Sequence, residues 1–386
     1  MKILVALTYY RPHISGLTIY VERLARALAA RGHTVTVLTS QYDRQLPERE
    51  SQAGVSLVRV PVAARLSKGV IMPAIGLVAW RLVPQHDVFS IHLPQFDATG
   101  FALRGRLLGK PVVVTYHSDL LLPPSLLNWA AGAAINVNND LVARLADTLV
   151  AYTDDFARHS RLLSRYLDKV QVIPPPVELP APTPDGVAAF RARHNLDGRG
   201  PVIGLAVRLA AEKGVEYLLQ AMPAILDRYP GAIILHAGPR EAIGEADYLR
   251  RIEPLVAQLQ DRYVYVGALE PPRMAEFFAS CDVHVLPSIN NTETFGLVQV
   301  EAALCGTPSV ASALPGVRMP TQMTGMGLTV PPRDPRALAD AILAILADHD
   351  RFVRPRAAIA AQFSPAATAE RYEALFDKLL RRRAGA

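Results

Sequence analysis

A short loop in the second half of the chain has one cation on each side. The apolar segment 202–207 is followed at once by Arg208, and Lys213 comes just before a segment with the spacing of a helix. Arginine offers a planar fork of N–H donors and lysine a compact point charge, a combination that suits a diphosphate. The alternative is that both cations pair with Glu212 and Glu216 at the surface.

Two carboxylates lie near the start of another predicted helix. The segment Glu293-Thr-Phe-Gly-Leu-Val-Gln-Val-Glu301 follows the apolar run 283–286. If the helix begins near Gly296, Glu301 falls in its second turn, and the free N–H groups of residues 295–297 face phosphate or sugar. A carboxylate suits vicinal sugar hydroxyls because it is a two-oxygen acceptor. Each glutamate could instead only complement the helix dipole.

Two further residues follow predicted strands in the first half of the chain. Gly16 comes directly before the first predicted helix, where a glycine lets the backbone approach a ligand and the helix start favours an anion. His117 follows the strand 112–115 and is expected to face the ligand-binding edge of the sheet. The alternatives are an ordinary strand–helix turn at Gly16 and a structural role for His117.

Several chemistries lack their sequence signatures. No G-x-G-x-x-G follows the first strand and no P-loop occurs, which argues against a nicotinamide or flavin enzyme and against an NTPase. The one Asp-x-Asp, at Asp348 and Asp350, ends a predicted surface helix and is interpreted as solvated charge. Cys281 and Cys305 are the only cysteines, and no Cys/His spacing suits a metal. We therefore predict no metal site and no cofactor.

Alternating strand and helix patterns must position these residues. Strands are predicted at 2–8, 33–40, 55–60, 87–92, 111–116 and 148–152, with a helix at 17–31. A second series has strands at 202–207, 232–237, 263–266, 283–286 and 309–312, with helices at 214–228, 246–260, 271–279 and 296–305. Such alternation predicts an α/β fold with parallel sheets covered by helices on both faces.

Prolines mark the boundary between the two series. Between Pro174 and Pro184 six prolines interrupt any regular element, so a hinge is expected there. We predict an N-terminal Rossmann-like acceptor-binding domain over 1–175, a linker region over 176–200 and a C-terminal Rossmann-like nucleotide-sugar-binding domain over 201–365. Ligands are expected in a cleft between the domains. A C-terminal helix over 366–386 is a candidate for crossing back to the first domain.

The formal charge of +6 is concentrated in the first half. Residues 1–180 hold 19 Lys/Arg against 13 Asp/Glu, whereas residues 181–386 hold 22 of each. The segment from Arg65 through Lys68 to Arg81 mixes cations, apolar residues and Trp80, and with Arg104, Arg106 and Lys110 it is a candidate surface for anionic lipid. The alternative is a core helix with a solvated edge. No apolar run is long enough to span a bilayer and no signal peptide is recognised, so we expect a cytoplasmic protein, with the inner face of the membrane as a peripheral location.

Read together, these motifs resemble the GT-B glycosyltransferases of glycosyltransferase family 4. In the second half the similarity lies in Arg208-Leu-Ala-Ala-Glu-Lys213-Gly214, Gly238-Pro239, Val264-Tyr-Val-Gly267, Val285-Leu-Pro-Ser288, the Glu293–Glu301 segment, Cys305-Gly-Thr-Pro308 and Pro315-Gly316. In the first half it lies in Ser15-Gly16, Arg31-Gly-His33-Thr-Val and Thr115-Tyr-His117. The similarity covers nearly the whole chain, in order, and the chain is similar to phosphatidylinositol mannosyltransferase-like enzymes.

The resemblance implies a role for each site residue. Arg208 and Lys213 would bind the donor diphosphate, and His117 would lie over the donor sugar near the reacting carbon. Glu293 would hold the sugar hydroxyls and Glu301 the ribose. The remaining donor-binding positions implied are Gly16, Gly238, Gly267, Thr294, Phe295, Gly296 and Leu297.

The same resemblance implies a hexosyltransferase that retains the anomeric configuration. It would move a hexose from a UDP- or GDP-sugar to a hydroxyl of a lipid, a growing glycan or a small molecule, without a metal ion and without nucleic acid as a partner. The alternatives are a sugar-nucleotide 2-epimerase or a non-catalytic sugar-nucleotide-binding protein of the same architecture.

Overall fold

The structure, a computed structural model, describes residues 1–66, 69–119, 126–239 and 245–385. The chain divides into two compact units. Unit 1 comprises Met1–Pro176 together with Ser364–Ala386, and unit 2 comprises Val177–Phe363. The C-terminal segment therefore belongs to the same unit as the N-terminus.

Unit 1 is built on an eight-stranded sheet with the order β10-β9-β8-β7-β1-β2-β4-β3. Its pairs are parallel except for β3, which lies antiparallel to β4 at one edge. The central strands consist almost entirely of buried residues, as expected for a sheet covered on both faces. The strands are β1 Lys2–Ala6, β2 Thr34–Gln41, β3 Arg49–Gln52, β4 Val55–Pro61, β7 Val88–Leu93, β8 Val112–Tyr116, β9 Thr148–Ala151 and β10 Val170–Val172, with a separate hairpin of β5 Ala64–Leu66 and β6 Gly69–Ile71.

Six α-helices belong to unit 1 among the residues described. They are α1 Gly16–Ala30, α2 Ile75–Leu82, α3 Ala98–Leu107, α4 Leu126–Leu145, α5 Asp154–His159 and α14 Pro365–Ala384. Helix α1 begins where the Ser15 hydroxyl accepts the Thr18 N–H at 3.2 Å, a side-chain N-cap.

The last helix, α14, packs on unit 1 through one face. Its buried residues recur at helical spacing, and they are Thr368, Ala369, Tyr372, Leu375, Phe376 and Leu379. Ion pairs fasten the same helix at its surface. Glu373 pairs with Arg31, and the Arg383 guanidinium donates to both carboxylate oxygens of Asp147 at 2.9 and 3.0 Å. The C-terminal helix, a candidate from the sequence for crossing to the first domain, therefore belongs to unit 1.

Unit 2 has the strand order of a Rossmann fold. Its six parallel strands lie in the order β13-β12-β11-β14-β15-β16, which is 3-2-1-4-5-6 within the unit. The strands are β11 Val202–Ala206, β12 Ile233–Ala237, β13 Tyr263–Gly267, β14 Val283–Leu286, β15 Ser309–Ser312 and β16 Gly327–Val330. The helices are α6 Pro184–Arg193, α7 Val215–Arg228, α8 Ala246–Leu259, α9 Pro271–Ala279, α10 Leu297–Leu304, α11 Met319–Thr324, α12 Pro335–Ala347 and α13 Arg356–Phe363.

The prediction of an α/β fold with two Rossmann-like domains is confirmed, and one detail differs. Residues 176–200 were predicted as a linker, but Pro176 belongs to unit 1, and residues 177–200 belong to unit 2 and contain α6. Pro184 is compatible with that helix because it occupies the first turn, where its missing N–H is not needed. The Thr183 hydroxyl caps the helix by accepting the Gly186 N–H at 3.1 Å.

None of the helices in the part of the chain described is long and apolar enough to cross a bilayer. Over the same residues, no three His, Cys, Asp or Glu side chains are grouped so that they could hold a metal ion.

The docking of α14 makes a stability prediction. Phe376 is 1 % exposed, so Phe376→Ala should lower the free energy of unfolding of unit 1 by about 3–5 kcal/mol, through lost burial and the cavity left behind. Both tryptophans, Trp80 and Trp129, belong to unit 1, so tryptophan fluorescence during urea unfolding reports on this unit. Lys378→Ala, an exposed position on the same helix, should change the midpoint little. Equal effects of the two substitutions would contradict the packing described.

Candidate functional site

The charged residues predicted for the site in the second half of the chain follow two neighbouring strands of the unit 2 sheet. Strands β11 and β14 are neighbours, paired in parallel from Ile203–Val283 to Leu205–Val285. They are the two strands at which the strand order reverses, with β12 on one side and β15 on the other. In open α/β sheets, ligands bind at the carboxyl ends of the strands at such a switch point. Arg208 and Lys213 follow β11, and Glu293 follows β14.

The loops after β11 and β14 are held against one another by backbone contacts. The Ile289 N–H donates to the carbonyl of Glu212 at 3.0 Å. Gly214, with φ of +62°, ends the turn that carries Lys213. A Cβ at Gly214 would lie 2.3 Å from the Pro287 carbonyl oxygen, so only glycine fits both the backbone conformation and the space.

This arrangement joins Lys213 to Glu293. The Lys213 ammonium donates to one carboxylate oxygen of Glu293 at 2.6 Å, and the Gly296 N–H donates to the other at 3.1 Å. The side chains of Lys213 and Glu293 are 17 % and 20 % exposed, so the pair is accessible to a ligand and yet partly shielded from water. The sequence suggested the types of both groups but not that they contact each other.

Arg208 has a different partner. Its guanidinium pairs with Glu212, as the surface-pairing alternative anticipated, and it remains 36 % exposed. The pairing of Lys213 with Glu216 is wrong, because Glu216 is buried and accepts a hydrogen bond of 2.6 Å from the Tyr248 hydroxyl. Arg208 therefore lies in an accessible ion pair with Glu212, whereas Lys213 is held by Glu293.

The start of α10 lies where the sequence predicted it, but the expectation of free N–H groups over residues 295–297 is wrong for Gly296, whose N–H donates to Glu293. Gly296 has φ of +78° and directly precedes the helix, so the N–H groups of its first turn face away from the helix body. Thr294 and Phe295 are buried and Leu297 is half-buried. Glu301 is half-buried in the second turn of α10, as expected.

Gln299 supports this helix start and was not predicted. Its side-chain amide donates to the carbonyl of Phe295 at 3.1 Å and to that of Val317 at 2.9 Å. A Cβ at Gly296 would lie 2.7 Å from the same amide nitrogen. A buried polar residue inside the otherwise apolar run 297–300 was the signal that could have indicated this support.

Gly238 and Gly267 lie at the ends of the two remaining strands on the β11 side of the sheet. The Gly238 N–H donates to the Gly267 carbonyl at 2.9 Å, and the Tyr265 hydroxyl donates to the Gly238 carbonyl at 2.7 Å. A Cβ at Gly238 would lie 2.1 Å from the Val207 carbonyl oxygen, which explains the glycine. Both glycines thus belong to the strand edge that carries Arg208.

His117 and Gly16 belong to unit 1. The His117 ring is buried, with Nε2 2.8 Å from Nδ1 of His92 and Nδ1 hydrogen-bonded to the Tyr152 hydroxyl. The pKa of His117 lies well below its usual range. Burial is the larger cause, and the adjacent His92 ring is the second. Burial also lowers the pKa of His92 to about 3, so both imidazoles are neutral at neutral pH.

Gly16 is the first residue of α1, whereas the sequence predicted it directly before the helix. Nothing lies within 4 Å of a Cβ built at this position, and its backbone is not in the left-handed region. Neither space nor backbone conformation within unit 1 therefore requires glycine here. His92 and Tyr152, by contrast, were not predicted as neighbours of His117, although a histidine inside the buried strand β7 is an unusual residue that could have drawn attention.

Family models match both halves of the chain. Residues 15–176 match the glycosyl transferase 4-like domain, and residues 200–348 match the model described as glycosyl transferases group 1. The D-inositol 3-phosphate glycosyltransferase of Xylanimonas cellulosilytica is 31 % identical over 368 residues, covering 88 % of this chain and 85 % of the relative. The chain belongs to the group 1 glycosyltransferases.

Other relatives agree with this assignment. A GDP-mannose-dependent α-(1-6)-phosphatidylinositol monomannoside mannosyltransferase of Mycobacterium tuberculosis is 26 % identical, with 92 % of each chain covered. Anabaena HepE, solved in complex with UDP-glucose, shares the fold with a TM-score of 0.77 at 19 % identity, covering 98 % of this chain and all of that one. The predictions of a GT-B fold and of a hexosyltransferase are confirmed.

The contact at Gly214 makes a prediction about the site of this glycosyltransferase. Gly214→Ala should displace the Lys213 loop from residues 287–289 and weaken binding of UDP or GDP by about tenfold or more, because an alanine is strained at this φ and also overlaps backbone. Gly306→Ala is the matched control, since Gly306 has φ of +84° but nothing within 4 Å of its Cβ position. Titration calorimetry with each nucleotide measures the difference. Unchanged nucleotide affinity in Gly214→Ala would contradict the importance of this loop contact.

Proposed function

We propose that this glycosyltransferase moves a hexose from a nucleoside diphosphate sugar, with UDP or GDP as the nucleotide, to an acceptor hydroxyl, with retention and without a metal ion. The observation that carries the proposal is the accessible Lys213–Glu293 pair at the switch point of the unit 2 sheet, beside the start of α10. It combines a cation for a diphosphate with a carboxylate for sugar hydroxyls.

The identity of the nucleotide is supported by the relatives. One names GDP-mannose as its donor, and the similarly folded HepE was solved with UDP-glucose. Both are nucleoside diphosphate sugars, so the shared chemistry is a diphosphate attached to the anomeric carbon of a hexose. This is the chemistry that Arg208 and Lys213 would recognise.

The cations suit the charge that develops during transfer. The bond between the anomeric carbon and the diphosphate oxygen breaks, and negative charge grows on the leaving nucleoside diphosphate. Lys213 would stabilise this charge, as would Arg208 once its contact with Glu212 is exchanged for one with phosphate. A preorganised group of this kind typically contributes about 3 kcal/mol to the transition state. The two cations would supply the positive charge that a divalent metal ion supplies in other transferases.

Retention would follow from attack on the same face as the departing diphosphate. The acceptor oxygen bonds to the anomeric carbon, and its proton passes to the leaving phosphate oxygen. Glu293 is engaged by Lys213 and the Gly296 N–H, which leaves it poorly suited to attack as a nucleophile and well suited to hold hydroxyls. By the family resemblance we keep a role for His117 at the donor sugar. Its imidazole is neutral, and because His92 and Tyr152 engage both ring nitrogens, a hydrogen bond to the sugar requires one of these contacts to open.

A substitution tests the donor assignment. Lys213→Ala should lower turnover about a hundredfold, because it removes one preorganised charge from the leaving group, while leaving the fold intact. Arg336→Ala, an exposed cation elsewhere in unit 2, is the matched control. The measurement is release of nucleoside diphosphate from UDP-, GDP- and ADP-sugars with and without acceptors. A folded Lys213→Ala variant with undiminished turnover would remove the diphosphate assignment.

The same assay separates the rival functions. A 2-epimerase would release free nucleotide or return a new sugar isomer without forming a glycoside, and a binding protein would show no turnover. Added EDTA should leave the rate unchanged, and NMR of the glycoside should show the donor's anomeric configuration. An inverted product or a rate that requires added divalent metal contradicts the corresponding part of the proposal.

We further propose that unit 1 meets an anionic membrane surface, with a lipid as the acceptor. Helices α2 and α3 expose a group of apolar side chains, defined here as the apolar patch: Leu77 at 66 %, Trp80 at 43 %, Leu103 at 45 % and Leu107 at 65 %. Exposed cations accompany it, namely Arg81 and Arg106, and Arg104 lies 5.7 Å above the Trp80 ring. Exposed apolar residues beside cations suit the interface of an anionic bilayer. Lys68, which the sequence placed in the same surface, lies outside the described residues.

Co-sedimentation with vesicles tests the membrane proposal. The protein should bind phosphatidylcholine–phosphatidylglycerol vesicles at low salt and bind pure phosphatidylcholine weakly. Leu77→Asp together with Leu107→Asp should weaken binding by about tenfold or more, because two inserted apolar side chains are lost. Leu167→Asp, at a 39 % exposed position of unit 1 outside the apolar patch, should bind like the wild type. Absence of wild-type binding to the anionic vesicles would sink the proposal.

A further inference from the structure

The hydroxyl of Tyr372, on the C-terminal helix α14, is buried between two residues of the N-terminal part of unit 1. It lies 2.8 Å from the Tyr20 hydroxyl on α1 and 2.7 Å from Thr115 Oγ1 on β8. All three residues are fully buried. A buried hydroxyl without a partner is costly, so these three groups fix one another in place.

Tyr20, the first partner of Tyr372, contacts His117. The Tyr20 ring meets the His117 ring edge to face, with centroids 4.9 Å apart and planes at 86°. Tyr20 also stacks on Tyr152, at 5.3 Å, and Tyr152 is the residue whose hydroxyl bonds to His117 Nδ1. The Tyr20 ring therefore helps to orient His117 directly and through the hydrogen-bond partner of its Nδ1.

Thr115 provides the second connection. It lies in β8, which ends at Tyr116, directly before His117. Strand β7 lies alongside, with His92 paired to Thr115 in register and its Nδ1 2.8 Å from His117 Nε2. Tyr20, Tyr152 and His92 contact the imidazole, and Tyr372 holds Tyr20 together with Thr115, the register partner of His92.

We infer that Tyr372 is a positioning residue for His117, so that the C-terminal helix controls the orientation of this imidazole as well as the stability of unit 1. The inference rests on the role proposed above for His117 at the donor sugar. Loss of the Tyr372 hydroxyl frees the Tyr20 hydroxyl and the Thr115 hydroxyl to find other partners. The Tyr20 and Tyr152 rings then shift, and the imidazole follows them.

A structural role for Tyr372 in docking α14 is the competing explanation, and α14 itself offers the matched control. The Glu373 side chain pairs with Arg31 and His33 at the surface of the same helix. Glu373→Gln weakens the fastening of α14 and leaves the buried hydroxyls in place. An effect specific to the orientation of His117 should appear in Tyr372→Phe and be absent from Glu373→Gln.

The experiment uses the full chain labelled with ¹⁵N-histidine, with the ring resonances of His117 assigned by their disappearance in His117→Gln. Tyr372→Phe should shift the His117 ring nitrogens, whereas Glu373→Gln should leave them at the wild-type positions. In turnover assays, Tyr372→Phe should lower kcat about tenfold with little change in the KM for the donor, since small misplacements of a positioned group are costly in rate. In a His117→Ala background, Tyr372→Phe should cause no further loss.

Unmoved His117 resonances in Tyr372→Phe, or equal shifts in Tyr372→Phe and Glu373→Gln, would overturn the inference. If the resonances shift as expected but His117→Ala retains full kcat, the positioning is correct and the role proposed for His117 in transfer is wrong. Should Tyr372→Phe fail to fold, Tyr20→Phe removes the same hydrogen bond from the other side and must give the same shift.

Discussion

The ion pair between Lys213 and Glu293 is the interaction on which the site of unit 2 depends. It joins the loop after β11 to the loop after β14, the two strands at which the sheet order reverses. The pair keeps a cation and a carboxylate partly shielded from water while leaving both accessible to a ligand, where their electrostatic interactions are stronger than at a fully exposed surface. In the proposed donor complex, the negative diphosphate and the neutral hydroxyls would replace each partner of the pair with a group of matching type. The ion pair would then keep both side chains ordered before such a donor binds.

Glycine and backbone contacts make this pair possible. Gly214 and Gly296 both adopt left-handed conformations beside the pair, and neither has room for a side chain. Gly296 also donates its N–H to Glu293, which orients the carboxylate toward Lys213. In unit 1 the corresponding constraint is a set of buried hydroxyls and imidazoles around His117. Tyr372, near the C-terminus, joins this set through hydrogen bonds to Tyr20 and Thr115. In both units, residues distant in sequence determine the orientation of a chemically useful group.

Much of this could be predicted from the sequence. The strands β11 and β14 followed from apolar runs, and the positions of Arg208, Lys213 and Glu293 followed from the loops that come after these runs. The partners of these charges did not follow, because an ion pair between residues 80 positions apart depends on the register and neighbours of the strands. Helix α6 was missed because a proline-rich segment was interpreted as linker, although a proline is favourable in the first turn of a helix. Gln299, His92 and Tyr152 were missed because their roles depend on packing that no local pattern encodes.

The most direct test of the central claim is titration calorimetry of UDP and GDP binding to Lys213→Ala and Glu293→Gln, compared with the wild type. If Lys213 is the diphosphate cation and Glu293 its partner in the absence of donor, Lys213→Ala should weaken binding of the preferred nucleotide. Glu293→Gln should bind the same nucleotide at least as tightly as the wild type, because it releases the ammonium and removes a negative charge near the diphosphate. Equal loss in both variants, or no loss in Lys213→Ala, would contradict the account.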